Sequence, residues 1–306
     1  MGELRARRAS ASLLGQTRHA LSQLASHLSE RRVADLCRVE ERHLVSFGRK
    51  LRETKTPRGR VLSLASQASY LQRVKSFFAF LERRGVVLRS PAAHLPIPIA
   101  SPLPRVALSE GQAARLMEAP PQETSTGKRD RAILETLYGV GLRRGECARL
   151  DVADLDLAAG TLLVRDGKGR KDRMVPVPGR AAAALAAYLK DVRPRLVVDP
   201  QEPALFLTAW WGKRLSEVSI VFLLRRHART AGVGKVHPHA LRHACATHLL
   251  KGGADVRHVQ AILGHRKLVT TGLYTRVVIE DLRQVMRRAH PRERTWARRG
   301  RRYNDA

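Results

Sequence analysis

Acidic residues are scarce in this chain. Across 306 residues, 27 Asp and Glu stand against 57 Lys and Arg, giving a formal net charge of +30 and a pI near 11.5. Such a balance favours a polyanionic partner, nucleic acid above all, over a very basic soluble or ribosome-associated protein. Cysteine is also rare: Cys37, Cys147 and Cys245 are far apart and odd in number. That argues against a disulfide framework, fits a reducing cytoplasmic location, and makes each a small core residue by expectation. No uninterrupted apolar run approaches the roughly 18 residues of a membrane span. The basic start, MGELRARRASASLLGQTRHA, lacks the long apolar stretch and cleavage site of a secretory leader. Glycine-rich phosphate loops are missing as well, since GKGRKD has neither the Walker nor the dinucleotide spacing. No internal repeat is present.

What is there begins with helices. Leu14, Leu21, Leu24 and Leu28 recur at near-helical spacing, and Leu44, Phe47 and Leu51 line one side of 40–51. Over 66–82, Tyr70, Val74, Phe77, Phe78 and Leu81 make an apolar stripe read as core rather than as a base-stacking surface. Basic side chains lie between and on these helices. Arg49, Lys50, Lys55, Arg58 and Arg60, with Arg73 and Lys75, are candidate phosphate contacts. Five of the 15 prolines then fall in 90–104, SPAAHLPIPIASPLP. Proline fixes φ and lacks an amide donor, so a linker over about 90–106 is expected, with a domain boundary near 100.

The second domain, 107–292, opens with Ser109 as a helix cap and continues with a helix over 130–138 broken by Gly139 and Gly141. LRRGE leads into a short helix ending near Leu150. From 154 to 178 the period changes to short apolar runs separated by Ala159-Gly160 and by Asp166-Gly167-Lys168-Gly169. Three antiparallel strands joined by tight turns are predicted there, with Lys168 at a hairpin tip. Further helices are expected at 180–189, 216–230, 239–251, from Asp255 to Gly264, and at 279–289. A short strand is expected at 205–207 and a third short segment at 268–275. A basic tail, 293–306, ends the chain.

The residues able to carry chemistry concentrate in HPHALRHACATHLLKGGADVRHVQAILGHRKLVTTGLYT, 237–275. His239 and Arg242 are i, i+3 on one helix. Arg offers a planar, permanently charged fork suited to phosphate, and His transfers protons near neutral pH. His265 follows the helix-ending Gly264, and Tyr274 lies nine residues on. A Tyr oxygen needs cationic neighbours or a base to act as nucleophile. Arg143 would bring a second fork and Lys168 a mobile proton donor, whereas Glu146 taken alone reads as a surface ion-pair partner. His239 and His243 have half of a zinc spacing, yet HALRH has no acid between them and carries an arginine there. Asp255 is the only carboxylate in the stretch, so no metal site is expected.

Taken as an ordered set, YGVGLRRGE, RDGKGRKDRMVPVP, HPHALRHACATHLL, ILGHRKLVTTGLYT and AHPR resemble the tyrosine recombinase (phage-integrase) family, closest to Xer-type and integrase-like members. The resemblance implies a mainly α fold with a small antiparallel β-sheet. A helical, SAM-like core-binding domain (1–100) would precede a mixed α/β catalytic domain. It implies a site-specific recombinase that cuts and rejoins DNA through a 3′-phosphotyrosyl link, in integration, excision, resolution or chromosome partition. Tyr274 would be the nucleophile. Arg143, Lys168, His239, Arg242 and His265 would be catalytic and Glu146 supporting, with neither metal nor other cofactor. Double-stranded DNA would be clamped by the two domains. A homo- or hetero-tetramer, with a second recombinase among the possible partners, would act on two sites, and the helix at 279–289 would dock into a neighbouring subunit. A DNA-binding protein without strand exchange and a type IB topoisomerase are the alternatives.

Overall fold

The structure, a computed structural model, describes residues 11–56, 59–99, 108–165, 172–264 and 276–294. These are mainly helical, with one small sheet. The chain divides into two compact units, 1–105 and 106–306. Among the described residues, no helix is long and apolar enough to cross a membrane.

The first unit contains α1 (Ala11–Ser29), α2 (Glu41–Glu53) and α3 (Leu64–Arg83), packed on one another. Leu24, Leu28, Leu44, Phe47, Leu51, Leu71, Val74, Phe78 and Leu81 form its core. The predicted stripe on α3 is therefore shifted: Leu71 is buried, whereas Tyr70 and Phe77 are half-buried at its edge. Cys37 is exposed rather than core, because it sits in a single 3-10 turn (Leu36–Arg38) with its thiol turned to the Val86 carbonyl. The start of the proline-rich stretch is packed rather than free, since Ala92 and Leu95 are buried in this same core.

In the second unit, Ser109 and Gln112 form a reciprocal cap on α4 (Glu110–Glu118). The next helix, α5 (Ser125–Gly139), starts a turn earlier than the apolar pattern suggests because Thr124 caps it. α5 is buried nearly all round and is the centre of the unit, touched by α4 and the elements that follow. α6 (Arg144–Arg149) precedes β1 (Leu155–Asp156), β2 (Thr161–Val164) and β3 (Arg173–Pro176), antiparallel in the order β1-β2-β3, with Leu162 opposite Val175 and Val164 opposite Arg173.

α7 (Gly179–Ala187) runs on through a π-helical turn (Tyr188–Val192) into α8 (Arg193–Leu196), further than predicted. Residues 205–207 do not form a strand. Ala204 and Leu207 make only isolated bridges, to Asp151 and Arg214, while the Leu205 amide donates to the Leu150 carbonyl, the Phe206 carbonyl accepts from the Leu215 amide, and the Leu207 amide donates to the Tyr188 hydroxyl. α9 (Glu217–Thr230), α10 (Pro238–Lys251), α11 (Val256–Leu263) and α12 (Arg276–Ala289) complete the unit.

α12 buries Ile279, Leu282, Val285, Met286 and Ala289 against β3, α10 and α11 of its own chain. The described apolar residues of this helix thus pack within their own chain. Buried ion pairs hold it and α5 in place. Arg292, just past α12, pairs with Glu135, and Asp130 receives His227 at 2.9 Å and Arg129 at 2.8 Å. Each carboxylate is removed from water but matched by several donors, which is the condition for tolerating a buried charge.

Candidate active site

Arg143 occupies the N-cap of α6, and Glu146 sits three residues on, where a carboxylate can reach back to the cap. The Arg143 amide donates to Glu146 Oε2 at 2.9 Å, and its guanidinium Nη1 donates to Oε1 at 2.6 Å. Glu146 is buried, while the Arg143 side chain keeps 24% of its surface exposed. The cation can therefore reach a ligand and the anion cannot.

Arg242 lies on α10 with its guanidinium buried. Nη1 donates to the Gly141 carbonyl at 2.7 Å, and Nη2 donates to the Leu263 carbonyl. The first acceptor stands two residues before Arg143 and the second at the end of α11. Gly141 has φ +69, and a Cβ there would come within 2.5 Å of Leu263 Cδ2 and 3.2 Å of Cys245 Sγ. Only glycine suits both the left-handed turn and the close approach. Gly264 ends α11 in the same left-handed conformation, φ +66, before His265.

A further arginine, Arg173 on β3, was not foreseen as a site residue. It is 4% exposed and grips Glu146 with both ends of its fork, Nη1 to Oε1 at 3.1 Å and Nη2 to Oε2 at 2.9 Å. Its Nε donates to the Ile262 carbonyl at 3.1 Å. The signal for it was strand parity. Arg173 shares the inward face with Val175, so a charge points where alternation demands an apolar residue.

Three guanidiniums thus surround one carboxylate. Burial pushes the Glu146 carboxyl up, but the bonds and charge of Arg173 and then Arg143 overcome it and hold the group at about 2. Burial, then the charge of Arg143, lowers Arg242 to about 10, with Glu146 opposing. With three arginines to one carboxylate, the cluster carries a surplus of positive charge suited to an anion. His239, one turn before Arg242, is exposed. Lys168, His265 and Tyr274 lie outside the described residues, as does the segment at 268–275. Among the described residues no three His, Cys, Asp or Glu side chains gather as a metal site.

Of the basic residues in the first unit, Arg58 lies outside the described residues. Arg49, Lys55 and Arg60 are exposed. The last two flank a tight turn in which Lys55 bridges Val61. Lys50 is paired with Glu30 at 2.6 Å, and Arg73 ties α3 to α1 through the Ser69 carbonyl and Gln16. Lys75 is half-buried.

Comparison with known proteins fits this geometry. Residues 107–280 match the model of the phage integrase family. The chain is 42% identical over 264 residues to tyrosine recombinase XerC 2 of Ralstonia nicotianae, covering 86% of this chain and 76% of that one. It is 39% identical over 291 residues to tyrosine recombinase XerD of Mycobacterium tuberculosis, covering 93% of each. In fold it resembles the XerH site-specific recombinase in its pre-cleavage complex with difH substrate. The TM-score there is 0.65 at 21% identity, over 86% of this chain and 76% of that chain. The chain belongs to the phage integrase family. It is a site-specific tyrosine recombinase, an enzyme that breaks and rejoins DNA strands.

Proposed function

We propose that this enzyme recombines double-stranded DNA through a covalent 3′-phosphotyrosyl intermediate, with Tyr274 as nucleophile. The observation that carries the reading is the placement of Arg143 and Arg242 around a shared turn, Gly141–Arg143, with a net positive charge and Arg143 partly open to ligand. Tyr274 Oη attacks the scissile phosphorus, its proton passing to His239, while the bond to the 5′-oxygen breaks. Lys168 protonates that oxygen as it leaves. Arg143, Arg242 and His265 hold the non-bridging oxygens, where negative charge grows in the transition state. Attack by a 5′-hydroxyl on the phosphotyrosyl link reverses the chemistry on a partner strand. One phosphodiester is exchanged for another at each step, so the balance needs no nucleotide.

In this reading the helical first unit is a core-binding domain, the second unit is catalytic, and the exposed Arg49, Lys55 and Arg60 meet phosphates. Four protomers, of one kind or two, act on two sites in the cytoplasm. Tyr274→Phe tests the chemistry on a nicked suicide substrate. The variant is expected to bind DNA with wild-type affinity and to form no adduct that survives denaturant. An adduct at wild-type yield would show that another residue is the nucleophile.

A further inference from the structure

We propose that Arg173 is a positioning residue for this reaction: by occupying both oxygens of Glu146 and the Ile262 carbonyl, it keeps Arg143 turned outward toward the scissile phosphate. The inference rests on the reading of Arg143 as a phosphate-binding group.

Its basis is the count of lone pairs on one carboxylate. Glu146 Oε1 accepts from Arg143 Nη1 and Arg173 Nη1, and Oε2 accepts from the Arg143 amide and Arg173 Nη2. Four donors leave the carboxylate a single orientation. They also leave Arg143 only one side-chain bond to it, made end-on through Nη1. The rest of the Arg143 fork is available to a ligand.

Arginine and carboxylate left to themselves prefer a two-bond, side-on pair. Without Arg173, Glu146 would have two acceptor sites open, in a buried setting where Arg143 is the adjacent cation. Arg143 would fold back onto it and withdraw its donors from the phosphate. Arg173 competes for those sites and wins by geometry, because its own backbone is fixed in the sheet and its Nε is anchored on Ile262.

The anchor extends the effect. Arg173 leaves the hairpin five residues after Lys168, and a Cβ at Gly264 would come within 3.0 Å of Arg173 Cδ. One side chain therefore joins the strand that follows Lys168, the helix end that precedes His265, and the carboxylate that orients Arg143. A lysine could replace the charge but not three directed bonds.

The test uses the full-length protein at saturating suicide substrate, in single turnover, with Arg173→Met and Arg173→Lys. For each, adduct formation is expected to slow by about 10–100-fold, the usual cost of losing a group that orients a ligand-binding one. DNA affinity should change far less than the rate. A second readout separates positioning from bulk stability. The charged groups facing Glu146 are Arg143 from its own helix, Arg173 from β3 and Arg242 from α10; Cys147 is its neighbour in sequence. Loss of Arg173 should raise the buried carboxyl, and a protonated Glu146 draws Arg143 back less strongly, so the ratio of variant to wild-type rate should recover as pH is lowered from 7 to 5.

In the background of Glu146→Gln, Arg173→Met should add little, because both act on one contact. If Arg173→Met does not fold, Arg173→Lys carries the measurement. Wild-type adduct rates with an unchanged pH profile in the folded variant would overturn the inference. Arg143→Ala is the control. If it forms adduct at the wild-type rate, the reading of Arg143 fails. If it is inactive while both Arg173 variants are normal, only the positioning role fails.

Discussion

Arg173 and Arg242 donate to adjacent carbonyls, Ile262 and Leu263, at the end of one helix. The last carbonyls of a helix have no partner within it. Here two guanidiniums from different elements, β3 and α10, supply the partners. The helix end just before His265 is thereby tied to the carboxylate beside Arg143 and to the turn at Gly141. Fold and site share these bonds, which sets what mutation should do.

Replacing Arg242 should damage both. Arg242→Ala leaves the Gly141 and Leu263 carbonyls buried without their donor, at a cost of about 1–3 kcal/mol. Arg242→Lys keeps a charge but cannot reach both acceptors with a planar fork. Adduct formation is expected to fall by about 10²–10³ in either variant, the range for removing a donor to developing charge. Urea unfolding should separate them, with the lysine variant the more stable. Equal stability of the two would show that the carbonyl bonds contribute nothing.

Gly141→Ala should act on the same turn from the other side. The position has φ +69 and faces Leu263 and Cys245. Strain of a non-glycine residue there costs about 1–3 kcal/mol, and the contact adds to it. Because Arg242 is anchored on the Gly141 carbonyl, the variant should lose adduct rate as well as unfolding midpoint. A variant less stable but cleaving at full rate would separate the turn from any role of Arg242 in cleavage.

Much of this was legible in the sequence, and the exceptions share a cause. Ser109 was readable as a cap and Asp255 as a helix start because each accepts from a backbone amide two or three residues on. The three strands followed from a change of period. Local signals failed where a distant partner decides the outcome. Arg173 looks like one more basic residue of a loop until β3 turns it toward Glu146, 27 residues away. Residues 205–207 have the composition of a strand, but they meet Leu150, Arg214 and Leu215 in single pairings rather than along a ladder. Cys37 has core composition and surface position. For the candidate site, the pattern singled out Arg143, Glu146 and Arg242, but not that the two arginines meet through carbonyls of a single turn and helix end.

The first unit offers a test by salt. Binding that neutralises a phosphate releases counterions, so each such contact adds about 0.9 to the slope of log affinity against log salt. Arg60 and Lys55 are exposed at a tight turn, whereas Arg73 is spent on Ser69 and Gln16. Arg60→Ala and Lys55→Ala should each lower the slope by about 1 without changing stability. Arg73→Ala should lower the unfolding midpoint and leave the slope unchanged. The opposite pattern would move the phosphate contact to α3.

Acid should expose the anchor behind α12. His290 is fully buried beside Tyr138, 5.2 Å between ring centroids, with Nδ1 accepting from the Arg292 amide at 3.2 Å. Burial, then the nearby His248 and Arg292, lowers its pKa from 6.5 to about 3. Above pH 6.5 the ring is neutral both folded and unfolded, and nothing is lost. Below that value the unfolded chain binds a proton that the folded protein refuses, so stability falls with pH and levels off only below about 3. At pH 5 the loss from this one group is on the order of 2 kcal/mol. Tyr138 also holds His248 Nδ1 at 2.8 Å, and burial lowers that histidine too, so it acts in the same direction. His290→Asn keeps an acceptor near the Arg292 amide and cannot titrate. It should be less stable than wild type at pH 7 and lose less between pH 7 and pH 5, as read from urea unfolding at each pH. If both proteins lose stability in parallel over that range, the proton uptake belongs to other groups and His290 is not the acid-sensitive anchor.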